Sequence, residues 1–247
     1  MNILLTGAAG GIGTAFRQYV SEQKRADYRL RLADRSDMAS QPNEAAEIMQ
    51  FDIAQLDDCQ RACADMDTVV HLAADPSPQA DFYGSLLDNN IKGTYNIFQA
   101  AKVQGCRRVI YASSVQAVEG YPLDRQVNAQ MPVCPPNLYG VSKCFGEAIA
   151  ACFAHQGLSA IAIRIGAFTP APPDETPSAR NLSAYVTPRD LCQLLVRCIE
   201  VPDVPFAIVH GISDNRFKRL DLSGTKALLG YAPQDDAFQL FKVPFQS

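Results

Sequence analysis

Asn2-Ile3-Leu4-Leu5-Thr6-Gly7-Ala8-Ala9-Gly10-Gly11-Ile12-Gly13 decides how this chain is read. Residues 2–5 form a short apolar run, the pattern of a buried strand. A helical pattern follows the glycines, with Ala15, Phe16, Tyr19 and Val20 on one face. Strand, glycine-rich turn and helix in that order are the setting that dinucleotide binding requires. Glycines permit the tight turn and let the backbone approach a pyrophosphate, while the helix N-terminus offers free N–H groups and partial positive charge. The expected cofactor contacts in this stretch are Gly7, Gly10, Gly11, Ile12 and Gly13. A glycine-rich turn without a ligand is the competing reading.

The next strand sharpens the expectation. Arg29-Leu30-Arg31-Leu32-Ala33 reads as a strand closed by Asp34. An acid about 20 residues beyond the turn reaches the ribose hydroxyls in the dinucleotide fold. It would also repel the additional phosphate of NADP, so NAD is the expected cofactor. Arg35 follows directly and could pair with a phosphate.

Further along, Tyr139-Gly-Val-Ser-Lys143 places a phenol and an ammonium on one helix face. A nearby cation favours the phenolate and lowers a tyrosine from its ordinary value of about 10. The pair is therefore expected to supply a proton acceptor near neutral pH.

Composition sets the limits. The chain has 247 residues, of which 47% are hydrophobic, enough for one sizeable core and too few for two large domains. A net charge of −4 provides no basic face for nucleic acid. No apolar run approaches the roughly 20 residues that span a bilayer. The first residues enter a strand at once, so no signal peptide is expected and a cytoplasmic location is. The eight cysteines and the scattered His71, His155 and His210 show no metal-ligand spacing, so no metal site is expected.

Strand and helix patterns alternate throughout. Strands are expected at 47–52, 68–72, 108–112, 160–164 and 205–209. Helices are expected at 56–64, 81–104, 138–155, 188–200 and 221–229, with 35–45 as a loop. This alternation predicts an α/β fold, a Rossmann-type doubly wound parallel sheet with helices on both faces. Residues 1–247 would form one domain. Residues 119–137 and 166–188 are proline-bearing loops of the kind that shape substrate pockets. Segments 166–188 and 210–247 are expected to make a small substrate-side cap.

Taken together, the glycine turn, Asp34 and Tyr139/Lys143 resemble the extended short-chain dehydrogenase/reductases, the NAD-dependent epimerase/dehydratase family. Asp52-Ile53 looks like the family's adenine-contacting pair, and His71-Leu72-Ala73-Ala74 like its fourth-strand signature. Asn90-Ile-Lys-Gly-Thr-Tyr-Asn96 resembles its NxxGTxN helix, and Tyr111-Ala-Ser-Ser114 its active-site serine segment. A closer likeness is to the uronate dehydrogenases, carried by 138–147, by Arg164-Ile165-Gly166 with Thr169-Pro-Ala-Pro172, and by Arg180-Asn-Leu-Ser183. Departures fall at the substrate end. Val115 and Gln116 replace the usual Asn-His, Ala167 replaces a serine, and Pro76 stands at another serine position.

The resemblance implies catalytic roles for Tyr139, Lys143, Ser114 and Asn90. It implies cofactor contacts from Leu72, Ala73, Ala74, Asn90, Tyr139, Lys143 and Ile165 as well. Substrate would meet Ser114, Val115, Gln116, Tyr139, Ala167 and Arg180, the last as a carboxylate clamp. Asn90 would either hold a proton-relay water or satisfy helix backbone. The implied reaction is NAD-dependent oxidation of a CH–OH group of a sugar or sugar acid, hexuronate to aldarolactone being the case nearest the likeness. Sugar-nucleotide epimerisation or dehydration, and a non-catalytic NAD-binding role, are the alternatives. A homodimer through 81–104 and 138–155 is expected.

Overall fold

The computed structural model describes every residue except 42, 43, 45, 174 and 245–247. The parts of the expected loops, cap and tail at those positions lie outside the described residues. The chain runs β1 (Asn2–Thr6), α1 (Gly11–Glu22), β2 (Arg29–Asp34), β3 (Ala46–Gln50), α2 (Leu56–Cys63) and β4 (Thr68–His71). A long helix, α3, follows, with a first part Phe82–Lys92 and a second part Gly93–Val103. Then come β5 (Arg108–Ser114), α4 (Leu138–Ala154), β6 (Ser159–Ile165), β7 (Ala167–Phe168), α5 (Ala179–Ser183) and β8 (Tyr185–Val186). The chain closes with α6 (Pro188–Glu200), β9 (Phe206–Gly211), α7 (Ser223–Leu229) and α8 (Ala237–Leu240).

Seven strands form one parallel sheet in the order β3-β2-β1-β4-β5-β6-β9. The chain starts in the middle, winds to the β3 edge, and then crosses back to β4. The reversal leaves a crevice beyond the carboxyl ends of β1 and β4, where ligands bind in open sheets of this type.

Both faces of the sheet are covered, which is why its strands read as nearly unbroken apolar runs. Ile3 and Leu5 pack on one face with Phe16 of α1 and Leu191, Leu194 and Leu195 of α6. Leu4 and Val69 turn to the other, against Ile97 and Phe98 of α3 and Ala150 and Phe153 of α4. The helix starts are chemically marked. Asn137 Oδ1 accepts from Gly140 N–H at 2.8 Å to cap α4, and Thr187 caps α6 ahead of Pro188.

Three features depart from the sequence expectation. The single helix over 81–104 is two helical forms, wide π-type turns over Phe82–Lys92 giving way to α at Gly93. The expected loop 166–188 contains α5 and a two-stranded parallel ladder of β7 with β8. The tail contains α8, whose Ala237 and Phe238 pack on Leu182 and Tyr185. Elements this short carry no readable periodicity. No described helix is long and apolar enough to cross a membrane, and no described group of His, Cys, Asp or Glu is arranged to hold a metal ion.

Candidate active site

The crevice has a volume of about 870 Å³. Its floor is the turn from β1 into α1. Gly7 adopts φ +70°, and a Cβ there would stand 2.7 Å from Ala73 N. A Cβ on Gly13 would lie 2.3 Å from Gly7 O, so any side chain would break the turn. α1 begins at Gly11 with no side chain capping it, which leaves its positive end open to an anion. At the tip of β2, Asp34 accepts hydrogen bonds from Ala9 N–H at 2.9 Å and Ser36 N–H at 3.0 Å. Its carboxylate thus stands at the edge of the glycine turn. The cradle that added Cβ atoms would fill, the open helix end and the acid together fit a dinucleotide with unphosphorylated ribose hydroxyls.

The remaining predicted cofactor residues line the same crevice: Gly10, Ile12, Arg35, Asp52, Ile53, Leu72, Ala73, Ala74 and Ile165. So do Ser114, Val115, Gln116, Tyr139, Lys143, Ala167 and Arg180. Ser114 ends β5, and Tyr139 and Lys143 occupy the first turns of α4, so the β5–α4 contact brings the three together. Ser114 Oγ accepts from Gln116 N–H at 3.2 Å.

Asn90 is placed differently. It is fully buried and absent from the crevice lining. Its Oδ1 accepts from Asp75 N–H at 2.8 Å, while Nδ2 donates to Asp75 O and Ser142 Oγ, each at 3.0 Å. These bonds tie the segment after β4 to α4, and none of them goes to the backbone of its own helix.

The electrostatics correct a second expectation. Burial pushes the Tyr139 phenol above its ordinary range, the Ser114 hydrogen bond opposes this, and the Asp75 charge adds to the rise. The lowering expected from Lys143 does not prevail. Its Nζ lies 5.5 Å from the Tyr139 ring centre and donates to Ala112 O at 2.9 Å. Burial also brings the Lys143 ammonium down to about 8. Behind this wall, His71 Nδ1 hydrogen-bonds Thr6 Oγ1 at 2.8 Å, and burial aided by the Lys143 charge brings the ring down to about 3.

The sequence reading missed Asp75, Ser85 and Asn89 on the crevice wall, while Phe168 and Pro170 come from the loop expected to shape the pocket. Asp75 directly follows His71-Leu72-Ala73-Ala74, and a polar residue leaving the carboxyl end of a strand was the available signal. It also missed Glu119, which holds the Arg180 guanidinium through Nε–H to Oε1 at 2.7 Å. The expected carboxylate clamp is thus closed on the chain's own carboxylate.

Known proteins are similar to this chain over nearly its whole length. Uronate dehydrogenase of Pseudomonas putida is 34% identical over 236 residues, covering 95% of this chain and 84% of that protein. NAD-dependent glucose-6-phosphate dehydrogenase of Haloferax volcanii is 34% identical over 253 residues, covering 95% and 94%. The crystal structure of uronate dehydrogenase from Agrobacterium tumefaciens superimposes with a TM-score of 0.86 at 32% identity, covering 100% of this chain and 90% of that one. Residues 3–187 match the NAD dependent epimerase/dehydratase family, and with its glycine turn, Asp34 and the Ser114, Tyr139 and Lys143 set in one crevice, the chain belongs to that family.

Proposed function

We propose that the protein oxidises a CH–OH group of a sugar or sugar acid, with NAD as the hydride acceptor. The observation that carries this reading is the convergence of Ser114, Tyr139 and Lys143 on the crevice floored by the glycine turn. NAD, when bound along the glycine turn, would supply the hydride acceptor for the reacting carbon. Tyr139 accepts the proton of the reacting hydroxyl. Ser114 donates a hydrogen bond to the same oxygen and steadies the charge that develops there. Lys143 carries its ammonium 5.5 Å from the phenol ring centre, on the same helix face as the phenol. Oxidation at the anomeric carbon of a cyclic sugar then yields a lactone, NADH and one proton. The uronate, glucose-6-phosphate and L-arabinose dehydrogenases among the relatives support a sugar as the substrate class.

The test is NADH formation from a panel of aldoses, hexuronates and sugar phosphates, by wild type and by Tyr139→Phe. The variant should lose about 10²- to 10⁴-fold in kcat and still bind NAD. Full turnover by Tyr139→Phe removes Tyr139 as the base. Net NADH accumulation separates oxidation from epimerisation, in which the reduced cofactor is consumed again.

Three finer readings accompany this one. Residues 166–188 and 210–247 act as the substrate-side cap, supported by the approach of Pro170 to Gly11 across the crevice. The working form is a homodimer through α3 and α4, supported by exposed Tyr83, Tyr95, Leu138 and Val141 on those helices. The protein works in the cytoplasm, supported by free thiols at all eight cysteines, the state of a reducing compartment; recovery in a membrane or exported fraction would count against it.

A further inference from the structure

Arg180 stands on the crevice wall, where a substrate carboxylate would reach it. Two of its three nitrogens donate hydrogen bonds, and the third makes an ion pair without one. Besides the bond from Nε, a terminal amino group pairs with Glu119 Oε2, and the other donates to Asn181 Oδ1 at 2.8 Å. The two paired side chains are mostly shielded from water, at 21% and 12% exposure, so this pair, one hydrogen bond plus a second ion-pair approach, differs from an exposed surface pair. Arg219 approaches the same Glu119 oxygen at 3.9 Å. Arg219 is itself fixed, donating to the carbonyls of Tyr121, Pro122 and Arg125 at 2.7 Å each. Glu119 is therefore held between two arginines.

A second carboxylate faces the same space. Asp75 lines the crevice, held by Ser77 N–H at 2.9 Å and the Ser85 hydroxyl at 2.5 Å. Tyr139 lines the same crevice, and the Asp75 charge adds to the rise of its phenol. The substrate end thus presents Arg180 already paired with a carboxylate, and a second carboxylate at Asp75. An incoming carboxylate would have to displace Glu119 from a shielded ion pair and approach Asp75. Sugar hydroxyls face neither cost, since they can donate to carboxylates.

We propose that Glu119 is a specificity-determining residue. By holding Arg180, and together with the Asp75 carboxylate, it sets the site for an uncharged aldose and against a hexuronate. This rests on the oxidative reading above and names its substrate class.

The test compares kcat/KM for a neutral aldose and for its hexuronate in wild type, Glu119→Gln, Glu119→Ala and Glu119→Ala/Arg180→Ala. Wild type should favour the aldose. Glu119→Ala should raise the ratio of kcat/KM for the hexuronate over that for the aldose about tenfold or more, the scale of one charge-assisted hydrogen bond gained. Removing Arg180 as well should cancel the gain. Calorimetric binding of the hexuronate to NAD-loaded Tyr139→Phe, with and without Glu119→Gln, reads the same preference without turnover. A wild type that prefers the hexuronate, or hexuronate binding unchanged by Glu119→Gln, overturns the proposal. If no sugar yields NADH, the oxidative reading falls, and the binding arm still decides the role of Glu119.

Discussion

At the scale of single residues, the wall behind the crevice shows how burial chooses protonation states. His71 is enclosed beside Thr6 and feels the Lys143 charge, so its ring stays neutral in the fold down to about pH 3 against an ordinary 6.5. Above 6.5 both folded and unfolded chains leave the ring neutral, and it contributes no pH dependence. As pH falls below 6.5 toward 3, the unfolded chain binds a proton that the folded one excludes, and stability drops. Replacing His71 with Asn should flatten the fall in melting temperature between neutral pH and about pH 4. An equally steep fall in the variant would remove His71 as a contributor. Tyr139 and Lys143 teach a related lesson. Their four-residue spacing was readable, because a helix places such positions side by side. The direction of the Tyr139 shift was not, because it depends on what encloses the phenol.

At the scale of elements, the site is set by how closely α4 lies on β5. Gly146 of α4 faces the Tyr111 ring of β5, and a Cβ there would stand 2.1 Å from a ring carbon. Tyr139 and Lys143 ride on this helix and Ser114 on this strand, so the missing side chain fixes their separation. Gly146→Ala should cost about 1–3 kcal/mol in urea denaturation through overpacking. It should lower kcat more than it weakens NAD binding. A variant of wild-type stability and turnover would show that the helix can move without consequence. Legibility follows length and end signals. The helix expected over 188–200 matches Pro188–Glu200, because Thr187, Pro188 and a sustained apolar stripe mark it. α5 and α8 span 5 and 4 residues and show no stripe, so they were hidden. The π-type turns of α3 were hidden too, since the same apolar pattern suits an ordinary helix.

At the scale of the whole molecule, buried polar groups tie distant parts of the chain. Glu147 of α4 accepts both Arg164 bonds from β6 at 2.9 Å and the Ser113 hydroxyl of β5 at 2.6 Å. This network sits beneath the catalytic wall and joins three elements. On the outer side of α3 and α4, Tyr83 is 82% exposed and Leu138 53%, which leaves apolar surface for a second copy. Sedimentation of wild type should show a dimer, and Leu138→Asp with Val141→Asp should shift it to monomer. A wild-type monomer at the same concentrations would end the dimer reading.

The sequence by itself determined the alternation of strand and helix, the glycine turn, the acid at the tip of β2 and the phenol–ammonium pair. Each of these is a local pattern, imposed by backbone geometry within a few residues. Only the tertiary structure decided the charge environment of the substrate end. Glu119 and Arg180 are 61 residues apart in the chain and meet only because the loop after β5 folds against α5. Pairing, burial and the shifts they produce are sums over elements drawn from the whole fold, and no window of sequence contains them.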